Sequence, residues 1–217
     1  MKLLVFGATG ETGRELVKQS LKLGHFVTVL VRDLQKMDIR HDNLEVIKGD
    51  ARDLSSFESV LAGKDAVLSC IGTRECRGPF QFTSLYSDTM KNMILAMKRN
   101  DVKRIVAVTS WCTQPGPNNP WFIEWFLKPF IIGAILRDMA IMEEMLAKTD
   151  EDMINYTIVR PPRLLSVEGN DNYKVQEGQC NTNTLQQIPR ADVAQFMLKT
   201  LETSDYDRKA VAIASYI

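Results

Sequence analysis

Short apolar runs alternate with segments of helical period along nearly the whole chain, and this alternation constrains the fold more than any other feature. Apolar runs of strand length lie at 2–7, 26–31, 44–48, 65–71, 104–109 and 155–159. Amphipathic stretches of helical period lie at 11–23, 83–99 and 191–201. Strands that alternate with helices are typical of βαβ units, which build a parallel sheet covered by helices on both faces. The sequence therefore predicts a doubly wound, mostly parallel α/β fold.

Weaker signals complete the predicted order of elements. A short helix is expected at 55–61, and a loop rich in proline at 111–120 leads into a helix that ends near residue 148 and is kinked or divided at Pro129. Short strands are expected at 173–176, 185–188 and 210–214. With no repeat or composition break, we expect one domain over residues 1–217, in which residues 111–190 contribute most of the substrate-side loops and helices.

Charge and composition exclude several kinds of partner. The 27 Lys and Arg residues balance the 27 Asp and Glu residues, so we expect neither nucleic acid nor an anionic membrane to be bound by gross charge. The four cysteines form no CxxC pair and only two histidines are present, so we expect no metal site and reduced thiols. The first apolar run is too short for a signal peptide. These features predict a cytoplasmic protein.

The segment 121–136, WFIEWFLKPFIIGAIL, is the most apolar part of the chain. It is shorter than the ~20 residues that a membrane-spanning helix needs, and it contains Glu124, Lys128 and Pro129. We interpret it as a buried or pocket-covering helix. The first alternative is a subunit interface, which would make the protein a monomer or a weak homodimer, and contact with a membrane surface is a minor alternative.

A glycine-rich turn, VFGATGETG, joins the first predicted strand to the first helix. Gly7, Gly10 and Gly13 permit a tight turn and allow the backbone to approach a diphosphate. The phosphates would lie at the helix N-terminus, where free N–H groups and the helix dipole favour an anion. This placement predicts a Rossmann-like dinucleotide site, and the alternative is a glycine turn in a fold that has lost its ligand.

Arg32 follows the second strand, about twenty residues after the glycines, where NAD-preferring sites place an acid on the ribose hydroxyls. A guanidinium at this position pairs with a 2′-phosphate, so the sequence favours NADPH, with NADH bound more weakly. Asp33 leaves NADH open, and a solvated loop charge is the alternative role of Arg32.

Residues after the third and fourth strands complete the expected cofactor edge. Ligands of such sheets bind at the carboxyl ends of the strands. We therefore expect the adenine and ribose to be bordered by Asp50, Ala51, Cys70, Ile71 and Gly72.

The candidate catalytic residues are few. No tyrosine is followed four residues later by lysine, so the Tyr-x-x-x-Lys pair of the main short-chain dehydrogenases is absent. Ser110 follows the fifth strand, where its hydroxyl is predicted to orient the nicotinamide carboxamide or the substrate, with capping of the strand end as the alternative. His25 and His41 are placed away from this edge, and nothing near Cys112 lowers its pKa, so we assign these residues no catalytic role.

The motifs GATGETG, VTVLVRD, GDARD, DAVLSCIGTR, VKRIVAVTS, RPP at 160–162 and ADVAQFMLKTL resemble those of the atypical short-chain reductases, in particular their flavin and biliverdin reductase branch. The resemblance implies hydride transfer from NADPH to a flavin, another quinone-like acceptor or a linear tetrapyrrole. It implies that Ser110 lies beside the nicotinamide. The resemblance also implies that NADPH is bound by Gly7, Thr9, Gly10, Thr12, Gly13 and Arg32, and we expect Ser110 and Pro161 to contribute to the same site.

Two departures from the family pattern concern the acceptor. Arg163 stands where the family commonly has histidine, and residues 111–136 are longer and more apolar than their counterpart. Arg163 is a candidate catalytic residue because its charge would attract a propionate or phosphate group, and a solvent-exposed arginine is the alternative. The second functional hypothesis is a non-catalytic NADP(H) sensor that resembles the NmrA-like regulators.

Overall fold

The computed structural model of the chain describes residues 1–73, 82–116, 119–181 and 183–216. Cys76 and part of the loop expected at 111–120 lie outside these residues. The strands are β1 (Lys2–Phe6), β2 (Phe26–Val31), β3 (Leu44–Lys48), β4 (Ala66–Ser69), β5 (Arg104–Val108), β6 (Asn155–Arg160), β7 (Arg163–Leu165), β8 (Tyr173–Glu177), β9 (Gln187–Pro189) and β10 (Lys209–Ser215). The helices are α1 (Glu11–Lys22), α2 (Leu85–Arg99), α3 (Gly133–Ala147) and α4 (Arg190–Lys199).

The described strands form an eight-stranded sheet in the order β3-β2-β1-β4-β5-β6-β10-β8. Neighbouring strands from β3 to β10 run parallel, and β8 pairs antiparallel with β10. The strand order reverses between β1 and β4, which is the switch point where doubly wound sheets bind their ligands. The predicted Rossmann-like fold class is confirmed.

Helices cover both faces of the sheet, because each parallel connection carries the chain across one face. On one face, Leu16 and Val17 of α1 and Phe196 of α4 pack in one core with β1 and β2. On the other face, α2 and α3 form a second core that contains Met93 and Met142. The methionines of α2 fill this core, as their helical spacing predicts.

The predicted order of elements differs from the structure in two places. The helix expected at 55–61 is two 3₁₀ turns, Leu54–Ser56 and Glu58–Leu61, because the extended φ of −145° at Phe57 interrupts the helical backbone. The strand expected at 185–188 lies at Gln187–Pro189 and pairs with β7, which was expected to be irregular chain. The pairing of β7 with β9 joins segments 24 residues apart, which local patterns do not reveal.

The apolar segment forms a π-helix, Ile123–Ile132, that continues into α3. Pro129 lies inside the π-helix, and the change to α geometry occurs at Gly133, where a Cβ would lie 2.2 Å from the Lys128 carbonyl oxygen. The segment is helical as predicted, but several of its large side chains are exposed rather than buried, with Trp125 at 73%; these are Trp121, Phe122, Trp125, Phe126, Phe130 and Ile131. Within the described residues, no helix is both long enough and apolar enough to span a bilayer.

Candidate cofactor-binding site

The residues expected to bind a dinucleotide follow the carboxyl ends of adjacent parallel strands. Along the strand order, Asp50 follows β3, Arg32 follows β2 and Gly7 follows β1. Continuing across the sheet, Cys70 follows β4 and Ser110 lies two residues after β5. The fold thus brings these residues to one edge of the sheet, across its switch point.

Gly7 and Gly13 make close packing of the turn possible. Gly7 has a φ of +76°, and a Cβ at this position would lie 2.4 Å from the Cys70 carbonyl oxygen. A Cβ on Gly13 would lie 2.2 Å from the Gly7 carbonyl oxygen. Neither contact is sterically allowed, so both positions require glycine for α1 to pack against the ends of β1 and β4.

Gly10 leaves the start of α1 open. It is the N-cap residue and, without a side chain, it gives the helix no side-chain cap. The N–H groups of Thr12 and Gly13 have no hydrogen-bond acceptor among the described residues. Unpaired N–H groups and the positive end of the helix dipole are what a diphosphate requires, so the turn fits the group that its sequence predicts.

The adjacent residues Arg32 and Asp33 differ in the contacts that their side chains make. Asp33 caps the 3₁₀ turn Leu34–Lys36 by accepting a hydrogen bond from the Gln35 N–H at 3.0 Å. Arg32 is exposed, and its guanidinium makes no hydrogen bond or ion pair in the part of the chain that the structure describes. The carboxylate has a local structural role, whereas the guanidinium is available to a ligand.

Arg14 is a residue of this site that the sequence analysis missed. Its guanidinium pairs with the Asp38 carboxylate and donates to the Lys36 carbonyl oxygen at 2.6 Å. It also contacts the Thr9 carbonyl oxygen at 3.4 Å, so it ties the glycine turn to the loop after β2. The hydrogen bond from Arg14 lowers the pKa of Asp38 below its usual value. An arginine one residue after the last glycine was the signal that could have identified it.

The loops after β3 and β4 are held by short-range contacts. The Asp50 carboxylate accepts from the Arg52 N–H at 2.9 Å, and the Ala51 carbonyl oxygen accepts from the Asn92 side chain at 3.1 Å. The Cys70 N–H donates to the Phe6 carbonyl oxygen at 2.9 Å. Burial raises the pKa of the Cys70 thiol to about 12, so this side chain contributes as a neutral group beside the turn.

Ser110 lies between two backbone contacts that fix its position. The Thr109 N–H donates to the Val159 carbonyl oxygen at 2.9 Å, and the Trp111 N–H donates to the Pro161 carbonyl oxygen at 3.0 Å. The half-buried Ser110 hydroxyl has no hydrogen-bond partner among the described residues. It therefore does not cap the strand end through its side chain, and it is available to a ligand at this edge.

A buried ion pair supports the segment around Ser110, and the sequence analysis missed it. The Arg160 guanidinium at the end of β6 donates to both oxygens of Glu143 on α3, at 3.0 and 2.7 Å. The Thr109 and Thr113 hydroxyls donate to the same carboxylate at 2.7 and 2.8 Å. The side chains of Arg160 and Glu143 are only 8% and 3% exposed. An arginine inside the apolar strand run NYTIVR was the available signal, because a buried charge needs a partner.

The remaining candidates are placed less centrally. Pro161 is buried and takes part through its carbonyl oxygen, whereas Arg163 is an exposed residue at the start of β7. Burial raises the pKa of Cys112 to about 12, which leaves it a neutral thiol. His25 contacts the N-terminal amino group at 3.2 Å, at the amino end of the parallel strands. In the described ranges, no three His, Cys, Asp or Glu side chains lie together as a metal site requires.

The family of the chain follows from a match over most of its length. A protein-family model described as NAD(P)H-binding matches residues 7–204. The chloroplastic divinyl chlorophyllide a 8-vinyl-reductase of Arabidopsis thaliana is 25% identical over 82% of this chain and 43% of that protein. The photosystem II assembly factor Ycf39 of Synechocystis sp. is 24% identical over 98% of this chain and 62% of that protein. The chain spans about half the length of these two curated relatives.

Solved structures agree in fold. A candidate NADH-flavin reductase of Streptococcus pneumoniae TIGR4 superposes with a TM-score of 0.77 at 22% identity, covering 99% of each chain. A short-chain dehydrogenase/reductase of Veillonella parvula, solved in complex with NADP, has a TM-score of 0.77 at 18% identity and covers 99% of this chain and 94% of that chain. The glycine turn, the strand order and the family match lead to one conclusion: the chain belongs to the NAD(P)H-binding family and has a Rossmann-like fold.

Proposed function

We propose that the chain is an NADPH-dependent reductase that transfers hydride to a conjugated acceptor, a flavin such as FMN or riboflavin or a linear tetrapyrrole such as biliverdin. The observation that carries this proposal is the Ser110 hydroxyl, which has no partner in the described ranges and is held at the carboxyl edge of the sheet by backbone bonds on both sides. A reductase of this kind needs a rigid polar group beside the nicotinamide more than it needs a strong acid.

The residues at the edge divide the binding of the cofactor among them. The N-terminus of α1 at Gly10 would hold the diphosphate, and Arg32 would pair with the 2′-phosphate. Asp50, Ala51 and the chain at Cys70, Ile71 and Gly72 would border the adenosine half. The Arg32 guanidinium, which is unpaired as far as the structure describes the chain, lies next to an aspartate that caps a 3₁₀ turn, and this arrangement favours NADPH over NADH.

Hydride transfer to a conjugated acceptor does not require an acidic or basic side chain near the acceptor. The bound cofactor supplies a hydride, and a conjugated acceptor spreads the incoming negative charge over its rings. The acceptor then takes one proton from water, so the missing Tyr-x-x-x-Lys pair is not required. Ser110 would orient the nicotinamide carboxamide or the acceptor, and the Arg160–Glu143 pair would keep the Ser110 segment in place.

The exposed position of Arg163 leaves its catalytic role a proposal. Arg163 is exposed at the start of β7, where its guanidinium is accessible to an anionic group of an acceptor. Replacing Arg163 with alanine and comparing the KM values of FMN and riboflavin measures whether it attracts the phosphate.

A steady-state assay tests the proposed activity. Purified protein with NADPH should reduce at least one of FMN, riboflavin, dichlorophenolindophenol and biliverdin. The reaction is measured as the decrease in absorbance of the reduced nicotinamide. No oxidation of NADPH with any of them would contradict the proposal.

Replacing Ser110 with alanine should lower turnover about tenfold, the scale of one lost hydrogen bond, while the Kd of NADPH changes little. The reason is that the serine hydroxyl acts at the nicotinamide end, whereas most of the binding comes from the adenosine diphosphate half. Steady-state kinetics and calorimetry measure the two effects. Ser59→Ala, which removes an exposed hydroxyl elsewhere, is the matched control. Unchanged turnover in Ser110→Ala would return Ser110 to a structural role.

A non-catalytic NADP(H) sensor is the second candidate function. The observation that favours it is the exposed aromatic surface of the π-helical segment, where Trp121, Trp125 and Phe130 are each more than half exposed. Such a surface suits a partner protein or a second copy in a weak homodimer. Tight binding of NADPH without turnover of any acceptor would support this second function.

Cytoplasmic localisation stays a prediction, since some relatives are chloroplastic proteins.

A further inference from the structure

A cavity of about 460 Å³ opens beside the segment that follows β5 and contains Ser110, at the carboxyl edge of the parallel strands. Trp111, directly after Ser110, lines it together with the exposed rings of Trp121 and Phe122. Asn181, Thr184 and Gln186 line the other side. Residues next to the end of β10 reach this cavity, because the Leu185 N–H donates to the Ser215 carbonyl oxygen at 2.9 Å.

Unpaired buried polar atoms concentrate in this cavity. In the described part of the chain, the buried side-chain nitrogen and oxygen atoms without a hydrogen-bond partner are Trp111 Nε1, Asn181 Oδ1 and Thr184 Oγ1. All three residues line the cavity, and Trp111 and Asn181 are only 3% and 7% exposed. Buried polar groups are rarely left unpaired because the loss is costly. Their occurrence together indicates a ligand that supplies the missing partners.

The three atoms define the hydrogen-bonding pattern of that ligand. The Trp111 indole N–H can only donate, so it needs a carbonyl or ring nitrogen. The Asn181 amide nitrogen already donates to the Lys174 carbonyl oxygen at 2.8 Å, which leaves the Asn181 oxygen to accept from a ligand N–H. The Thr184 hydroxyl can do either. A ring that carries a carbonyl next to an N–H, as in a cyclic imide or lactam, satisfies this pattern.

The walls of the cavity indicate a planar and uncharged ring. Aromatic side chains stack well on flat conjugated rings, and Trp121 and Phe122 offer such surfaces. None of the described residues that line the cavity is charged. An anionic group placed here would find no counter-ion among these lining residues, whereas a neutral ring needs none, so a neutral ligand is favoured over an anionic one.

We propose that this cavity is the acceptor site and that it selects a neutral, planar fused ring bearing a carbonyl beside an N–H, held by Trp111, Asn181 and Thr184. This assignment rests on the proposed reductase function and narrows it, because a neutral ring such as that of riboflavin would bind better than one whose phosphate or propionate groups enter the cavity.

Binding of flavin analogues to the NADP⁺-loaded protein tests the assignment without turnover. Lumiflavin and 3-methyllumiflavin differ only by the N–H that Asn181 would accept. We expect methylation to weaken binding about tenfold, as for one lost hydrogen bond, measured by quenching of flavin fluorescence. In Asn181→Leu this difference should disappear, whereas in Asn172→Leu, which alters an exposed asparagine outside the cavity, it should remain.

Trp111→Phe provides a second variant, because it keeps an aromatic ring and removes the indole N–H that is unpaired among the described residues, together with part of the buried ring. We expect it to bind lumiflavin about tenfold more weakly and to bind NADP⁺ unchanged, which would show that it is folded. Equal binding of lumiflavin and 3-methyllumiflavin by the wild-type protein would overturn the assignment. The assignment would also be overturned if the protein bound FMN more tightly than riboflavin and Arg163→Ala abolished this preference.

These outcomes are separable from a failure of the reductase function. Selective binding of lumiflavin over 3-methyllumiflavin without any turnover would preserve the ligand class of the cavity and contradict the reductase. Turnover without that selectivity would preserve the reductase and place its acceptor elsewhere.

Discussion

Glu143→Ala should lower the free energy of unfolding by about 3–5 kcal/mol, because it leaves the buried Arg160 guanidinium without its counter-ion. Among the described residues, the Arg160 guanidinium would retain only its hydrogen bond to the Gly178 carbonyl oxygen at 2.9 Å. The Thr109 and Thr113 hydroxyls would lose the acceptor that they share. Urea unfolding followed by circular dichroism measures the change.

The neighbouring Glu144→Ala is a matched control. Glu144 is also on α3, but it is exposed and pairs with the exposed Lys148 at 2.6 Å. Its removal should change stability by less than about 0.5 kcal/mol, as is usual for surface substitutions. Equal losses in the two variants would show that the buried pair has no special part in holding the fold.

A double replacement, Glu143→Leu with Arg160→Met, separates the cost of an unpaired charge from the value of the pair. Removing both charges leaves no uncompensated ion, so much of the stability lost in Glu143→Ala should return. If Ser110 depends on this network for its position, turnover of the double variant should be lower than that of the wild type even though the protein is stable. Turnover equal to that of the wild type would contradict the positioning role.

Arg32→Ala should weaken the binding of NADPH by about 1.5–3 kcal/mol, the range for a hydrogen bond to a charged group, and the binding of NADH much less. The physical reason is that the guanidinium, which is unpaired in the described structure, would pair with the 2′-phosphate that only NADPH carries. Calorimetric titration of each reduced nucleotide measures both affinities.

Arg40→Ala controls for the loss of one positive charge near the same loop. The Arg40 guanidinium already donates to the Met37 carbonyl oxygen at 2.6 Å and to that of Ile39 at 3.0 Å. It is therefore occupied, and its removal should affect the two nucleotides equally. An equal loss for both nucleotides in Arg32→Ala itself would refute the assigned role of Arg32.

The sequence predicted the parts of the molecule that depend on local patterns. Buried parallel strands such as β4 and β5 are continuous apolar runs, and α2 repeats its methionines at helical spacing, so their positions could be read within about two residues. The position of the glycine turn was also predictable from the sequence, because backbone contacts within and next to the turn require glycine at Gly7 and Gly13.

The features that the sequence did not predict depend on contacts between distant segments. Glu143 pairs with Arg160 across the interface of α3 with the sheet, and β7 pairs with β9. The arginine in the apolar run of β6 indicates a buried charge, but no local pattern identifies its partner or the partner of β7. The cavity joins Trp111 to Asn181 and Thr184, about seventy residues away in the chain. The exposure of the apolar π-helical segment was also missed, because hydrophobicity alone does not say whether a helix faces the core, solvent or a partner.

The most direct test of the central claim is a calorimetric titration of NADPH into the wild-type protein and into Gly10→Val. Gly10 has φ −75° and ψ 161°, which other residues adopt, and a Cβ there would meet only the Gly7 carbonyl oxygen, at 3.3 Å. This contact is tight, so valine should be accommodated with a small shift of the turn while it covers the open N-terminus of α1. We expect saturable binding of one NADPH per wild-type chain and loss of that binding in Gly10→Val, with a cooperative unfolding transition that shows the variant to be folded. No binding of NADPH or NADH by the wild-type protein, or unchanged affinity in the variant, would contradict the account.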